Sequence, residues 1–289
     1  MICCVIVNFN DYESTIECVR SICRYDIIDH IIVVDNCSTN DSYNQLQVLI
    51  GPKVDLIKSK HNGGYGSGNN IGIVFAKEKY DPQFIIISNP DVIISEKAIV
   101  ECYNFLVLNN NASVVAPLML DKNRKKCYEC VWNIPTYYQY LLFPLFLLGR
   151  IFHLERPSLK QLSSKKPIKC GCVAGSWLMI RTDDFIKIGM YDEKIFLYCE
   201  ETVLGIKLHN NKKECYLLPY VFFVHNHSVS ISKTIRSEYK QQKIMWKSRL
   251  YVLDNYFNMS LFYIIISRVI SFIALFEWCI RKKIKSYKR

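Results

Sequence analysis

Asn89, Pro90 and Asp91 follow directly on the apolar run Phe84-Ile85-Ile86-Ile87-Ser88. A buried strand that ends in a carboxylate is a way to hold a divalent cation at the edge of a sheet. Pro90 fixes the local backbone and lacks an N–H, so the chain leaves the strand there. Asp91 supplies a hard oxygen ligand, suited to Mg²⁺ or Mn²⁺ bridging phosphates and not to Zn²⁺. The tripeptide is also an ordinary turn sequence, so its meaning rests on its company. A second acidic feature, Glu200-Glu201, has the chemistry of a general base, although adjacent carboxylates also mark a solvated helix start.

These residues need elements to position them. Cys3 to Val7 and His30 to Val34 are short continuous apolar runs. Both read as strands buried on two faces, the pattern of a parallel sheet covered by helices. Between them, Asp11 to Arg24 carries apolar residues near helical spacing, which completes a βαβ unit. Asn8 follows the first run, and Asp35, Asn89 and Asp91 stand at the carboxyl ends of strands, where open α/β sheets bind ligands. From Asn62 to Gly72 five of eleven residues are glycine. Such a stretch lets backbone amides approach a phosphate, or serves as a flexible turn entering a helix, and the helix start is read at Ile71. The spacing fits neither the dinucleotide fingerprint nor the Walker loop.

Taken in order, Val5-Ile6-Val7-Asn8-Phe9-Asn10, Val33-Val34-Asp35-Asn36-Cys37-Ser38-Thr39, Asn62-Gly63-Gly64-Tyr65-Gly66 and Ser88-Asn89-Pro90-Asp91 resemble the successive signatures of family 2 glycosyltransferases. Within the family the chain is most similar to bacterial rhamnosyl- and galactofuranosyltransferases that build O-antigens and capsules. The likeness continues at Gly175 to Arg181, Gly189 to Glu193, Phe196 to Glu201, and from Pro219 through His225 to Ser230. It implies an α/β protein of GT-A fold: a Rossmann-like nucleotide-binding half and an acceptor half around a mostly parallel sheet, with a C-terminal helical appendix. On that basis residues 1–232 form the glycosyltransferase domain, divided into 1–115 and 116–232, and 233–289 form a membrane-associating helical region.

The resemblance also implies roles. Asp35 accepts from the nucleobase imide, and Asn8 with the loop carrying Gly64, Gly66 and Asn70 lines the nucleotide. Asn89 and Asp91 correspond to the family's metal-binding Asp-X-Asp, with Asn89 where the first acid often stands. Asp91 therefore carries Mg²⁺ or Mn²⁺, and His225 completes the coordination. Glu200-Glu201 fills a slot that is normally Glu-Asp, which makes Glu201 the base and Glu200 the residue that positions the acceptor. Val203 and Lys207 replace a second Asp and an Arg of that motif. The implied reaction is an inverting transfer from a nucleotide sugar to a glycan acceptor, lipid-linked in this branch; the alternative is a catalytically weak protein that binds nucleotide sugar or scaffolds polysaccharide assembly.

Composition sets the surroundings. The 289 residues suffice for one two-part domain with an appendix, and the formal charge is +11. Six basic residues fall in the last nine: Arg281, Lys282, Lys283, Lys285, Lys288 and Arg289. No nucleic-acid module accompanies them, so nucleic acid is not expected as a partner. They follow the apolar stretch Leu261 to Phe276, which Arg268 and Glu277 interrupt. The expected arrangement is a helix lying in the membrane interface with its basic end on anionic head groups, at the cytoplasmic face of the inner membrane. A packing helix of the domain or of a homodimer is the plainer reading. Tyr137 to Leu148, broken by Pro144, reads either as a lipid-docking stretch or as a core helix. The thirteen cysteines sit within apolar elements, which suits a reducing cytoplasm. Cys127-X-X-Cys130 and Cys170-X-Cys172 have zinc-like spacing without a supporting loop. No secretory leader is read at the amino terminus. Glu155 to Lys169 reads as a flexible segment.

Overall fold

The computed structural model describes residues 1–226, 235 and 237–287, with side chains as far as 284. Residues 227–230 of the last motif, and the side chains of Lys285, Lys288 and Arg289, lie outside the described residues.

Eleven strands and ten helices carry the described chain. The strands are β1 (Ile2–Asn8), β2 (His30–Asp35), β3 (Val54–Lys58), β4 (Phe84–Ser88), β5 (Val92–Ile94), β6 (Ala112–Leu120), β7 (Val131–Trp132), β8 (Ile168–Cys170), β9 (Cys172–Val173), β10 (Trp177–Arg181) and β11 (Glu214–His225). The helices are α1 (Tyr12–Ile22), α2 (Ser42–Leu46), α3 (Tyr65–Tyr80), α4 (Glu96–Leu108), α5 (Tyr137–Leu142), α6 (Leu159–Leu162), α7 (Thr182–Lys187), α8 (Glu200–Asn210), α9 (Glu238–Tyr256) and α10 (Leu261–Tyr287). The expected flexible segment thus contains α6, capped by Ser158 and Gln161, and the first residues of β8.

One sheet runs in the order β3-β2-β1-β4-β10-β6-β11-β5, with β8 also on β11. Its first four strands are mutually parallel, as their continuous apolar runs require. Beyond them the sheet is mixed, though most of its strands still share the direction of β4. β10 lies antiparallel between β4 and β6, and β11 is parallel to β6 but antiparallel to β5 and β8. An apolar run shows that a strand is buried, not which way it points, and β10 gave no other signal. In β11 the register slips between Leu218 and Phe222, where Pro219 has no N–H to donate.

The main core lies on both faces of this sheet. A second apolar core gathers Tyr140 and Leu141 of α5, Val203 of α8, Trp246, Val252 and Leu253 of α9, and Ala274 of α10. The C-terminal region is therefore built into the acceptor half through α9, and only the outer side of α10 projects as an appendix.

Candidate active site

The parallel strands deliver polar residues to one edge of the sheet. Asn8 and Asp35 are fully enclosed there, with Asn8 Nδ2 donating to Asp35 Oδ1 at 2.9 Å and Thr15 Oγ1 donating to Asn8 Oδ1 at 3.0 Å. Asp35 Oδ2 accepts from the Ser38 amide at 3.1 Å. With each oxygen engaged, Asp35 braces the ends of β1 and β2 and does not line the cleft beside them. Its neighbour Asn36 does, together with Phe9, Asp11, Tyr65, Asn89 and Phe196, in a cleft of about 770 Å³ including its open mouth. Sequence reasoning missed Asn36, Phe9 and Phe196, because composition shows that a strand ends in polar residues but not which of them faces outward.

The glycine stretch is not a loop up to Ile71: α3 begins at Tyr65. Gly64 precedes it with φ +92°, and an added Cβ would stand 1.9 Å from the Phe196 carbonyl oxygen, so only glycine fits. The Tyr65 amide donates to that carbonyl at 3.0 Å. Gly66 packs against the Tyr191 side chain, where an added Cβ would lie at 2.9 Å. Asn70 is buried; it donates to the Tyr191 carbonyl and to Glu193 Oε1 at 3.0 Å each, and so ties α3 to the acceptor half. What the cleft receives is the amino terminus of a 16-residue helix, whose partial positive charge favours an anionic group.

Asp91 follows β4, and the antiparallel pairing of β5 with the end of β11 sets His225 opposite Val92, beside Asp91. His225 Nε2 lies 3.1 Å from Asp91 Oδ1 and 3.4 Å from Asn89 Nδ2. Asp91 is buried, and its Oδ1 makes no hydrogen bond of regular geometry among the described residues. An enclosed carboxylate oxygen against an imidazole fits a cation that takes its remaining ligands from phosphates and water. No cluster of three His, Cys, Asp or Glu side chains assembles among the described residues, at this place or at the Cys127 and Cys170 pairs.

Glu200 and Glu201 open α8, immediately after Tyr198 and Cys199, which are both left-handed at φ +69° and +76°. Glu200 is buried and its Oε1 has no hydrogen-bond partner among the described residues. Glu201 is half-buried; its Oε1 accepts from the Gly175 amide at 3.2 Å, and the Gly175 carbonyl accepts from the Tyr65 hydroxyl at 2.6 Å. Burial, then repulsion from Glu201, holds the Glu200 carboxyl well above the usual range, and burial raises Glu201. Desolvation thus outweighs the helix-terminus field that would lower both. A carboxylate displaced in this direction holds a proton more strongly than a solvated one, the direction a general base needs. Val203 lies in the second core and Lys207 Nζ donates to the Gly189 and Met190 carbonyls, so both departures from the motif have structural roles.

Residues 3–189 match the profile of the family described as Glycosyl transferase family 2. Rhamnosyltransferase WbbL of Escherichia coli (strain K12) is 24% identical over 156 residues, half of this chain and 57% of that protein, so the chain spans less than two thirds of that relative. The low-salt glycan biosynthesis hexosyltransferase Agl10 of Haloferax volcanii is 24% identical over 89% of this chain and 76% of its own. An N-acetylglucosaminyl-diphospho-decaprenol L-rhamnosyltransferase of Mycobacterium tuberculosis is 26% identical over 62% and 60%. Among solved structures, GalNAc-T7 with UDP, GalNAc and Mn²⁺ superposes with a TM-score of 0.59 at 15% identity, over 79% of this chain and 43% of that one. The mannosyltransferase PcManGT of Pyrobaculum calidifontis, with GDP-Man and Mn²⁺, gives 0.57 at 11% identity, over 86% and 61%. The shared architecture is the GT-A fold.

Proposed function

The chain belongs to glycosyl transferase family 2, and from that premise and the site geometry we propose that it performs an inverting, metal-dependent transfer from a nucleotide sugar to a glycan hydroxyl. The observation that carries this reading is the link between cleft and acids. Tyr65 lines the cleft and holds Gly175, Gly175 holds Glu201, and Asn89 and Pro90 of the same cleft adjoin Asp91. Phe9, Asn36 and the start of α3 would enclose the nucleoside diphosphate, with Asn8 and Asp35 bracing them from behind. Asp91 and His225 would hold Mg²⁺ or Mn²⁺, which when bound neutralises charge on the departing diphosphate. Glu201 takes the acceptor hydroxyl's proton as that oxygen attacks the anomeric carbon, and Glu200 orients the acceptor.

The acceptor is proposed to be lipid-linked, in cell-surface polysaccharide synthesis, a reading supported by the polyprenyl compound in the name of the mycobacterial relative. A membrane-bound acceptor fits the C-terminal face. α10 is long and apolar enough to cross a membrane by length and composition. Yet Ser267, Ser271 and Ala274 are buried against the protein, while Phe262, Ile265, Val269, Phe272 and Phe276 point outward. A helix with one side committed to protein lies in the interface more readily than it spans. Of the other apolar stretch, Tyr140, Leu141 and Leu145 are core, whereas Phe146, Leu147 and Ile151 are exposed, and the Phe146 amide donates to Glu277 Oε1 of α10. Peripheral attachment at the cytoplasmic face follows as part of the proposal.

The experiment is a thermal-shift screen of UDP-, dTDP- and GDP-sugars on the full chain, then donor turnover with and without Mn²⁺. Asp91→Ala should abolish cation-dependent turnover while leaving the fold intact. Unchanged activity with unchanged metal dependence would sink the metal assignment. A second reading, binding or scaffolding without turnover, is favoured by Val203, where the family keeps an acid; donor stabilisation without turnover at any metal concentration would select it.

A further inference from the structure

The acidic pair is reached through two consecutive left-handed residues, neither of them glycine. Such backbone persists only where the surroundings over-determine it. Most of the described side-chain contacts that fix the preceding segment come from α9, which the sequence had assigned to a separate appendix. Ser248 Oγ donates to the Leu197 carbonyl at 2.7 Å. The Tyr251 and Tyr256 hydroxyls both donate to Asp192 Oδ2, at 2.8 and 2.7 Å.

Arg249 ties α9 to α5. It is buried, and among the described residues no carboxylate pairs with it. Its guanidinium lies 4.3 Å from the Phe143 ring centroid, 5.0 Å from Tyr140 and 5.2 Å from Trp246, and Nη1 donates to the Tyr140 carbonyl at 3.3 Å. A buried cation without an acid is costly unless aromatic faces and a carbonyl compensate it. Burial pushes the Cys199 thiol up to about 12, with Arg249 pulling against that shift.

We propose that α9 is a positioning element of the active site: Ser248, Tyr251 and Tyr256 hold the segment Asp192–Cys199 in the geometry that presents Glu200 and Glu201, and Arg249 fixes α9 against α5. This rests on the transferase reading for its kinetic consequence, but the geometric part stands without it. None of these three residues touches the reacting atoms. Their removal should therefore loosen the acids more than the nucleotide cleft, to which this segment gives only Phe196 and Leu197 of the lining.

The test is the full-length double variant Tyr251→Phe/Tyr256→Phe, with Ser248→Ala as a milder second. Hydroxyl removal is expected to lower kcat for transfer about ten- to a hundredfold, because small misplacements of a catalytic group cost that much. The KM for the nucleotide sugar and the thermal shift on donor binding should change much less than kcat, since most of the cleft lining lies outside the segment. Hydrogen exchange of amides 193–201 should quicken in both variants, which reads the geometry without reference to activity. Unchanged exchange and unchanged kcat in the double variant would overturn the proposal, as would losses of donor affinity equal to those of kcat. Glu201→Gln is run in parallel: faster exchange together with normal transfer by Glu201→Gln would mean that the base assignment has failed while α9 still positions the segment.

Discussion

Glu200 and Glu201 are neighbours in sequence with unlike surroundings, and this difference decides what each variant should do. Glu201→Gln keeps shape but cannot accept a proton, so transfer should fall by about two to four orders of magnitude with donor affinity unchanged. Glu200→Gln should cost less transfer and alter stability instead. A carboxyl whose folded value is raised contributes stability that is fully present below its unfolded value, near 4.5, and is lost as pH rises through the folded value. Glu200→Gln should therefore raise Tm at neutral pH and give no gain at pH 4. A Tm difference of the same size at both pH values would show that the buried charge is not the cause, and a larger loss of transfer than in Glu201→Gln would make Glu200 the base. The sequence made the acids legible, since strand ends and paired carboxylates are visible as residue types. Orientation was not legible: Asp35 and Asn36 are adjacent and both polar, and only the fold shows that the first is enclosed and the second lines the cleft.

Helices were legible in existence and less so in extent and facing. α3 starts six residues before the apolar signal at Ile71, because its first turns pack so closely on Tyr191 and Val7 that small residues replace apolar ones. α10 presents the opposite problem. Its mean hydropathy shows an apolar helix, but the side turned to the protein is the one with serine and alanine, and Arg268 reaches back to pair with Asp254 of α9, Nη1 donating to Oδ1 at 3.0 Å. An apolar face of this kind, beside Arg281 and Lys282, should bind anionic vesicles. A chain ending after Phe257 keeps all of α9 and loses that face. It is expected to remain folded and to leave vesicles of phosphatidylglycerol in a sedimentation assay, whereas high salt should release the full chain only partly, since burial of apolar area is not screened. If the shortened chain still sediments, the anchor is the exposed group Phe146, Leu147 and Ile151.

At the scale of the whole molecule, the parallel half was readable because βαβ units leave a local record: strand, helix and strand in sequence. The acceptor half leaves none. β10 pairs with β4 and β6, and β11 with β6, β5 and β8, so neighbours in the sheet are distant in the chain and their directions follow from no short-range pattern. This topology also bears on how the protein comes into being. β4 is buried along its whole length, yet one of its two edges is closed only by β10. During synthesis the first half can assemble β3, β2, β1 and β4, but Phe84 to Ser88 then waits as a bare, uncharged edge until Trp177 to Arg181 has left the ribosome. An open apolar edge is an invitation to pair with another chain. Residues 1–110, cut in the turn before β6, should therefore aggregate when made alone, and co-expression with 111–289 should bring them into solution as a complex; a soluble, monomeric 1–110 fragment would mean that the edge protects itself. The two halves named from sequence share one site, and the nascent chain cannot finish either without the other.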